Sequence, residues 1–194
     1  QEAKKPLIMT GGGVILSRAA QELTDLARKY RIPVTGTLMG LGSFPASDPL
    51  WLGMLGMHGT YYANMAVSHC DLLLAVGVRF DDRVTGSIET FAPEAKIVHI
   101  DIDPSSINKN VTVDLPIVGD AQSALTDLLR FLEEHHYEPD IASRQAWLSE
   151  IDEWRGKVPL TYCQNGEVIK PQFVIQTLHR LTGGDALITT EVGQ

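Results

Sequence analysis

Leu72-Leu73-Leu74-Ala75-Val76-Gly77-Val78-Arg79-Phe80-Asp81-Asp82-Arg83 is the stretch that decides how this chain folds. Its first five residues are a continuous apolar run of strand length, the pattern of a strand buried on both faces in a parallel sheet. Gly77 ends the run and lets backbone pass close to whatever lies above the sheet. Two arginines and two aspartates follow between Arg79 and Arg83. Parallel α/β sheets take ligands outside the carboxyl ends of their strands, so these charges stand at a candidate binding edge. The bland alternative is a solvated loop whose Asp and Arg neutralise one another. The choice depends on what else the chain sends to the same edge.

Outward from that strand, β and α patterns alternate, as they do where a parallel sheet carries helices on its faces. Further strands are expected at Pro6 to Thr10, Pro33 to Thr37 and Lys96 to Ile100, with a strand end at Val118-Gly119-Asp120. Gly11-Gly12-Gly13 reads as a turn. The helix Ala19 to Tyr30 that follows it puts Leu23, Leu26, Ala27 and Tyr30 on one face, with Ser17 placed to cap it. Helices are also expected at Tyr61 to His69 and Ala121 to Glu134. Gly40 to Gly59 reads as a long loop rich in Gly and Pro, a feature that compact domains rarely carry without a use. The expected fold class is α/β: a parallel, Rossmann-like sheet flanked by helices.

The alternation stops at His135-His136-Tyr137-Glu138-Pro139, where a domain boundary is expected. Residues 1–135 are read as one α/β domain and 136–168 as a linker with a connecting helix. In that helix Trp147, Leu148, Ile151 and Trp154 form a packing stripe at helical spacing. Residues 169–194 open a second, truncated domain: a helix from Pro171 to Leu181, ended by Gly183 and Gly184, then a strand Ala186 to Thr190. The absence of an initiating Met suggests a piece of something longer.

Composition narrows the function. The 194 residues carry a net charge of −8, which argues against nucleic acid or an anionic membrane surface as partner. No apolar run reaches the ~18 residues of a membrane span. The two cysteines, Cys70 and Cys163, form no Cys-x-x-Cys pair, so no disulfide framework or four-cysteine zinc site is expected, and no metal ligands are assigned. A soluble protein of a reducing compartment, acting on a small molecule, is the expectation.

The clues at the sheet edge differ in strength. A Gly-x-Gly-x-x-Gly fingerprint from Gly11 would need glycine at Leu16, so this is not the standard dinucleotide motif, although the three glycines could hold a diphosphate. Asp101 and Asp103 follow the strand ending at Ile100. Asp103 is explained as an N-cap before Pro104, whereas Asp101 is free to accept from ribose hydroxyls. Asp120 could cap the helix from Ala121 or reach the same ligand. His58, beside Met57, suits either a structural role or the lining of a flat ring.

Together, Thr37-Leu38-Met39-Gly40-Leu41-Gly42, Leu55-Gly56-Met57-His58-Gly59, Gly77 to Gly86 and His99-Ile100-Asp101-Ile102-Asp103 closely resemble the middle domain of the acetohydroxyacid (acetolactate) synthase large catalytic subunit. The resemblance runs from about Lys5 to Leu132 and resumes from Ile169 to Gln194 as the start of that family's thiamine-diphosphate domain. It implies an FAD-binding middle domain in a carboligase that uses thiamine diphosphate and magnesium. Such an enzyme condenses pyruvate with pyruvate or 2-ketobutyrate in branched-chain amino-acid biosynthesis, and its FAD does no net redox chemistry.

Residue by residue, the resemblance assigns FAD contacts to Gly12, Thr37, Leu38, Leu55, Gly56, Met57, His58, Gly77, Val78, Arg79, Phe80, Asp81, Asp101, Ile102, Asp120 and Ala121. It places Met57, Asp82 and Arg83 at the mouth of the substrate channel and Gln194 against thiamine diphosphate. It also implies 2-keto acid substrates, a homo-oligomer (dimer or tetramer), a possible regulatory small subunit and a bacterial-type cytoplasmic location.

The glutamate that activates thiamine and the Gly-Asp-Gly magnesium motif of that family have no counterpart in this sequence; Gly119-Asp120-Ala121 and Gly184-Asp185-Ala186 come nearest. No catalytic residue is therefore assigned, and the fragment is not expected to be active alone. Two rivals share the fold. A flavin-free thiamine-diphosphate carboligase or decarboxylase would not be expected to keep Arg-Phe-Asp-Asp-Arg after its strand. A non-catalytic nucleotide-binding module is the other, for example a sirtuin-like deacylase, which would want four zinc cysteines.

Overall fold

The structure is a computed structural model and describes residues 3–189. The chain divides into two compact units, Gln1–Val158 and Pro159–Gln194.

The first unit is built on six strands: β1 (Pro6–Thr10), β2 (Val34–Gly36), β3 (Trp51–Met54), β4 (Leu72–Val76), β5 (Lys96–Asp101) and β6 (Leu115–Val118). They form one sheet in the order β3-β2-β1-β4-β5-β6, and every pairing is parallel. β1 lies at the centre and all five of its residues are buried. Because side chains alternate along a strand, Leu7 and Met9 enter one core and Ile8 the other. β4 pairs with β1 from Pro6↔Leu72 to Thr10↔Val76, so the two strands end level and their following loops emerge side by side.

On the Leu7 face lie α3 (Tyr61–His69) and α6 (Ile141–Lys157), contributing Ala63, Ala66, Trp147, Ile151 and Trp154. The Ile8 face carries the short α1 (Gly12–Leu16), α2 (Ala20–Tyr30) and α5 (Ala121–Glu134), which bury Val14, Leu23, Leu26 and Leu125, and a single-turn α4 (Asp82–Thr85) follows β4 in the chain. α6, read from sequence within a linker, is part of this body. Trp147 Nε1 donates to the Pro6 carbonyl at 3.0 Å, and Arg144 Nη1 donates to the Ala3 carbonyl at 2.8 Å. Lys5 pairs with Glu150 at 2.7 Å. The tryptophan stripe is buried as expected, and the break between units falls at Val158/Pro159, some twenty residues beyond the composition change.

The parallel α/β expectation holds, with local corrections. The presumed loop Gly40 to Gly59 contains β3, whose pairing with β2 shifts register between Val34 and Gly36; Thr35 Oγ1 donates across to the Gly53 carbonyl at 2.9 Å. The glycine turn is a helix from Gly12, so Ser17 is the C-cap of α1 and not the cap of α2. Its hydroxyl donates back to the Val14 carbonyl at 3.3 Å, Arg18 takes φ +58° to turn the chain, and Ala19 starts α2 without a side-chain cap.

In the second unit, α7 (Pro171–Thr182) begins with Pro171 at its first turn and ends at Gly183 with φ +62°. Tyr162 Oη donates to Gln176 Oε1 at 2.5 Å. Residues 186–189 form no strand. A parallel strand exists only by pairing, and among the described residues of this unit no other strand offers an edge. Thr190 and Gln194 lie outside the described residues.

Candidate functional site

Strand order reverses between β1 and β4: the chain steps outward to β2 and β3 on one side and to β5 and β6 on the other. A crevice opens at the carboxyl ends of those two strands, as it does at the switch point of doubly wound sheets. Its floor is backbone on backbone. Gly11 N donates to the Val76 carbonyl at 3.0 Å and Gly13 N to the Gly77 carbonyl at 3.1 Å. A Cβ on Gly13 would lie 2.5 Å from the Gly77 Cα, so the two loops can meet this closely only as glycines. Gly77 also takes φ +60°, a left-handed conformation that suits glycine.

The crevice encloses about 720 Å³, within the range of small-molecule and cofactor sites. Thr37, Leu38 and Met39 after β2 make one wall, Gly12, Gly13 and Leu16 the back, Gly77 to Val84 the other side, and Asp101, Ile102 and Asp103 the far end. A recess of about 150 Å³ adjoins it, lined by Asp101, Ile102, Asp120 and Ala121 among others. α1 spans five residues, so little helix dipole stands behind the glycines and their contribution is close backbone approach.

The three aspartates now separate. Asp103 caps a single turn at Pro104–Ser106, accepting from Ser105 N at 2.9 Å. Hydrogen bonds from the Ser105 hydroxyl and N–H hold its carboxyl below the usual range. Asp120 caps α5, accepting from Ser123 N at 2.9 Å, and also borders the recess. Asp101 is buried at the end of β5; its Oδ1 accepts from Asp103 N at 2.9 Å, and its Oδ2 lies 3.8 Å from His99 Nε2, beyond hydrogen-bond range. One carboxylate oxygen therefore keeps its capacity to accept from a ligand in the crevice.

Arg79 and Asp81 form an exposed pair at 2.7 Å along the rim. Phe80 points the other way: its side chain is buried edge-on against His99, ring centroids 5.0 Å apart, and against Phe91. Only its backbone serves the crevice. Leu55, Gly56, Met57 and His58 do not line it. Leu55 is core, and Asn64 fixes both Gly56 polar groups, its Oδ1 accepting from the N–H at 2.8 Å and its Nδ2 donating to the carbonyl at 3.0 Å. The segment buttresses the far loop: Met57 N donates to the Arg83 carbonyl at 3.0 Å, and Arg83 Nη1 approaches Met57 Sδ at 3.6 Å. The exposed Met57, Asp82 and Arg83 thus gather beside the crevice mouth.

Sequence reasoning missed Leu16 and Met39 as lining residues, and His99 and Asn110 behind the Gly77 loop. Among the described residues no group of three or more His, Cys, Asp or Glu could hold a metal ion, and no helix is long and apolar enough to cross a membrane. Buried Cys70, its thiol pushed up to about 12 by burial, is inert packing.

Fold and crevice define a doubly wound α/β domain with an open switch-point crevice. Residues 1–128 match the family model described as thiamine pyrophosphate enzyme, central domain, and the chain belongs to that family. It is 48% identical over 192 residues to the acetolactate synthase isozyme 3 large subunit of Escherichia coli (strain K12), covering 99% of this chain and 33% of that protein. It is 47% identical to the acetolactate synthase large subunit of Cyanidium caldarium, covering 100% of this chain and 33% of that protein. To the chloroplastic acetolactate synthase 3 of Brassica napus the identity is 51%, covering 100% and 29% respectively. The chain spans about a third of the length of these relatives.

Proposed function

We propose that this chain is the flavin-binding and channel-lining part of an acetolactate synthase large subunit, and that its crevice holds FAD. The observation that carries the reading is the crevice at the β1/β4 switch point, closed at one end by the buried Asp101 carboxylate with an oxygen free to accept. The residues present fit the group. The glycine floor admits a diphosphate at backbone distance, Asp101 suits ribose hydroxyls, and Leu38, Met39 and Ile102 offer apolar surface to flat rings.

Arg79, exposed on the rim, is available to the diphosphate or the ring edge. The Arg83 guanidinium makes one hydrogen bond among the described residues, to a thioether. A keto-acid carboxylate would be a far stronger, bidentate partner for that guanidinium, with Met57 and Asp82 beside it. FAD in this setting is a structural cofactor, and thiamine diphosphate with magnesium, held mainly by the rest of the enzyme and touched here by Gln194, supplies the carbon–carbon bond-forming chemistry. The substrates proposed are pyruvate with pyruvate or 2-ketobutyrate, in branched-chain amino-acid biosynthesis. A dimeric or tetrameric cytoplasmic enzyme with a possible regulatory small subunit completes the reading.

The test is flavin stoichiometry of the intact protein, released by denaturation and read by absorbance. About one FAD per chain supports the assignment. Thiamine-dependent carboligation with no flavin would move the protein to the flavin-free carboligases and leave Arg79 and Asp101 as structural groups.

A further inference from the structure

His99 is fully buried on β5, among apolar side chains, and its Nδ1 has no hydrogen-bond partner. Leaving such a group unpaired costs stability that a leucine there would not. Its other nitrogen, Nε2, donates to the Val78 carbonyl at 2.8 Å. The next two carbonyls are held in the same manner: Asn110 Nδ2 donates to the Phe80 carbonyl at 3.0 Å and lies 3.3 Å from that of Arg79. Three consecutive carbonyls are thus tied back by side chains 21 to 31 positions away in sequence.

All peptide bonds here are trans, so each N–H points opposite to the carbonyl of its own peptide. The N–H groups of Arg79, Phe80 and Asp81 are therefore turned to the other side of the loop, and none has an acceptor among the described residues. These same residues line the crevice. Phe80 takes φ +51°, and such a left-handed residue within a loop gathers successive N–H groups into an anion-binding concavity.

We infer that His99 and Asn110 are positioning residues: they hold the Val78, Arg79 and Phe80 carbonyls back so that the Arg79, Phe80 and Asp81 N–H groups form a cradle for the diphosphate of the flavin nucleotide. The inference rests on the FAD reading of the crevice. It accounts for a histidine kept in an apolar core at the expense of an orphan nitrogen, and for Asn110 reaching across to a loop it does not belong to.

The experiment compares the intact apoprotein with His99→Gln, which keeps a donor near Nε2, His99→Leu, which removes it, and Asn110→Ala. FAD affinity is titrated by flavin fluorescence, and the ³¹P resonances of bound FAD report on the diphosphate. His99→Leu and Asn110→Ala are expected to bind FAD about tenfold more weakly. Their ³¹P shifts should move toward those of free FAD, while His99→Gln retains affinity and shifts. Unchanged affinity and shifts in both donor-removing variants, or a His99→Gln protein as poor as His99→Leu, would overturn the inference. Should His99→Leu fail to fold, half-buried Asn110 decides the matter alone. A wild-type protein that binds no FAD sinks the underlying reading and this inference with it, whereas unaffected variants of a flavin-binding protein sink only the inference.

Discussion

At the scale of single residues, the crevice depends on atoms that are missing. Gly77 faces Gly13 so closely that a Cβ on either meets the other's backbone, and its φ of +60° adds a left-handed penalty for any other residue. Gly77→Ala should lose about 3 kcal/mol, combining backbone overpacking with that strain. Denaturant titration reads it, and a loss within experimental error would mean the loops can part freely. The sequence made Gly77 legible through its place after an apolar run. It could not reveal that its counterpart is Gly13, because that contact depends on β1 and β4 ending in register. Asp103 was legible as a cap from Pro104, whereas Asp120 was undecided until Ser123 N was seen to be its partner.

At the scale of elements, long apolar or periodic segments declared themselves and short edge segments did not. β1, β4 and α5 were read to within a residue or two because burial on a continuous face writes a pattern. β3 reads as loop in the sequence: it has four residues, sits at the sheet edge and pairs through a register shift, and Gly53, at φ +80°, interrupts its apolar residues. α6 was visible as a helix, but its allegiance was not, since Trp147 and Trp154 say only that something covers them. A chain ending at Val158 should keep the thermal midpoint of the first unit. One ending at Tyr137 strips Trp147, Ile151 and Trp154 from the core and should melt lower, having lost more than the ~3–5 kcal/mol of stability that a single buried aromatic contributes. Equal midpoints for the two truncations would place α6 outside the folding unit.

For the molecule as a whole, stability should depend on acidity through His99. Burial pushes its pKa below the ordinary 6.5, with the Val78 carbonyl and Asp101 acting in the opposite sense. The folded state then keeps His99 neutral while the unfolded chain takes up the proton, so the stabilisation is complete above pH 6.5 and drains away as pH falls toward the folded value. Denaturant unfolding at a series of pH values from 7.5 downward should show a loss of at most ~1.4 kcal/mol per pH unit from this group. His99→Gln should flatten that limb, and an identical slope in the variant would show that another group sets it.

The clasp of α6 on the amino-terminal segment bears on the order of synthesis. β1 leaves the ribosome well before α6, yet its flank is closed by Arg144 on Ala3, Trp147 on Pro6 and Glu150 on Lys5. Until α6 has followed it out, the central strand waits with one side of its root uncovered, a long exposure for a parallel sheet whose pairings are all distant in sequence. A nascent-chain pause or a bound chaperone is therefore expected to matter most before α6 appears and little after it.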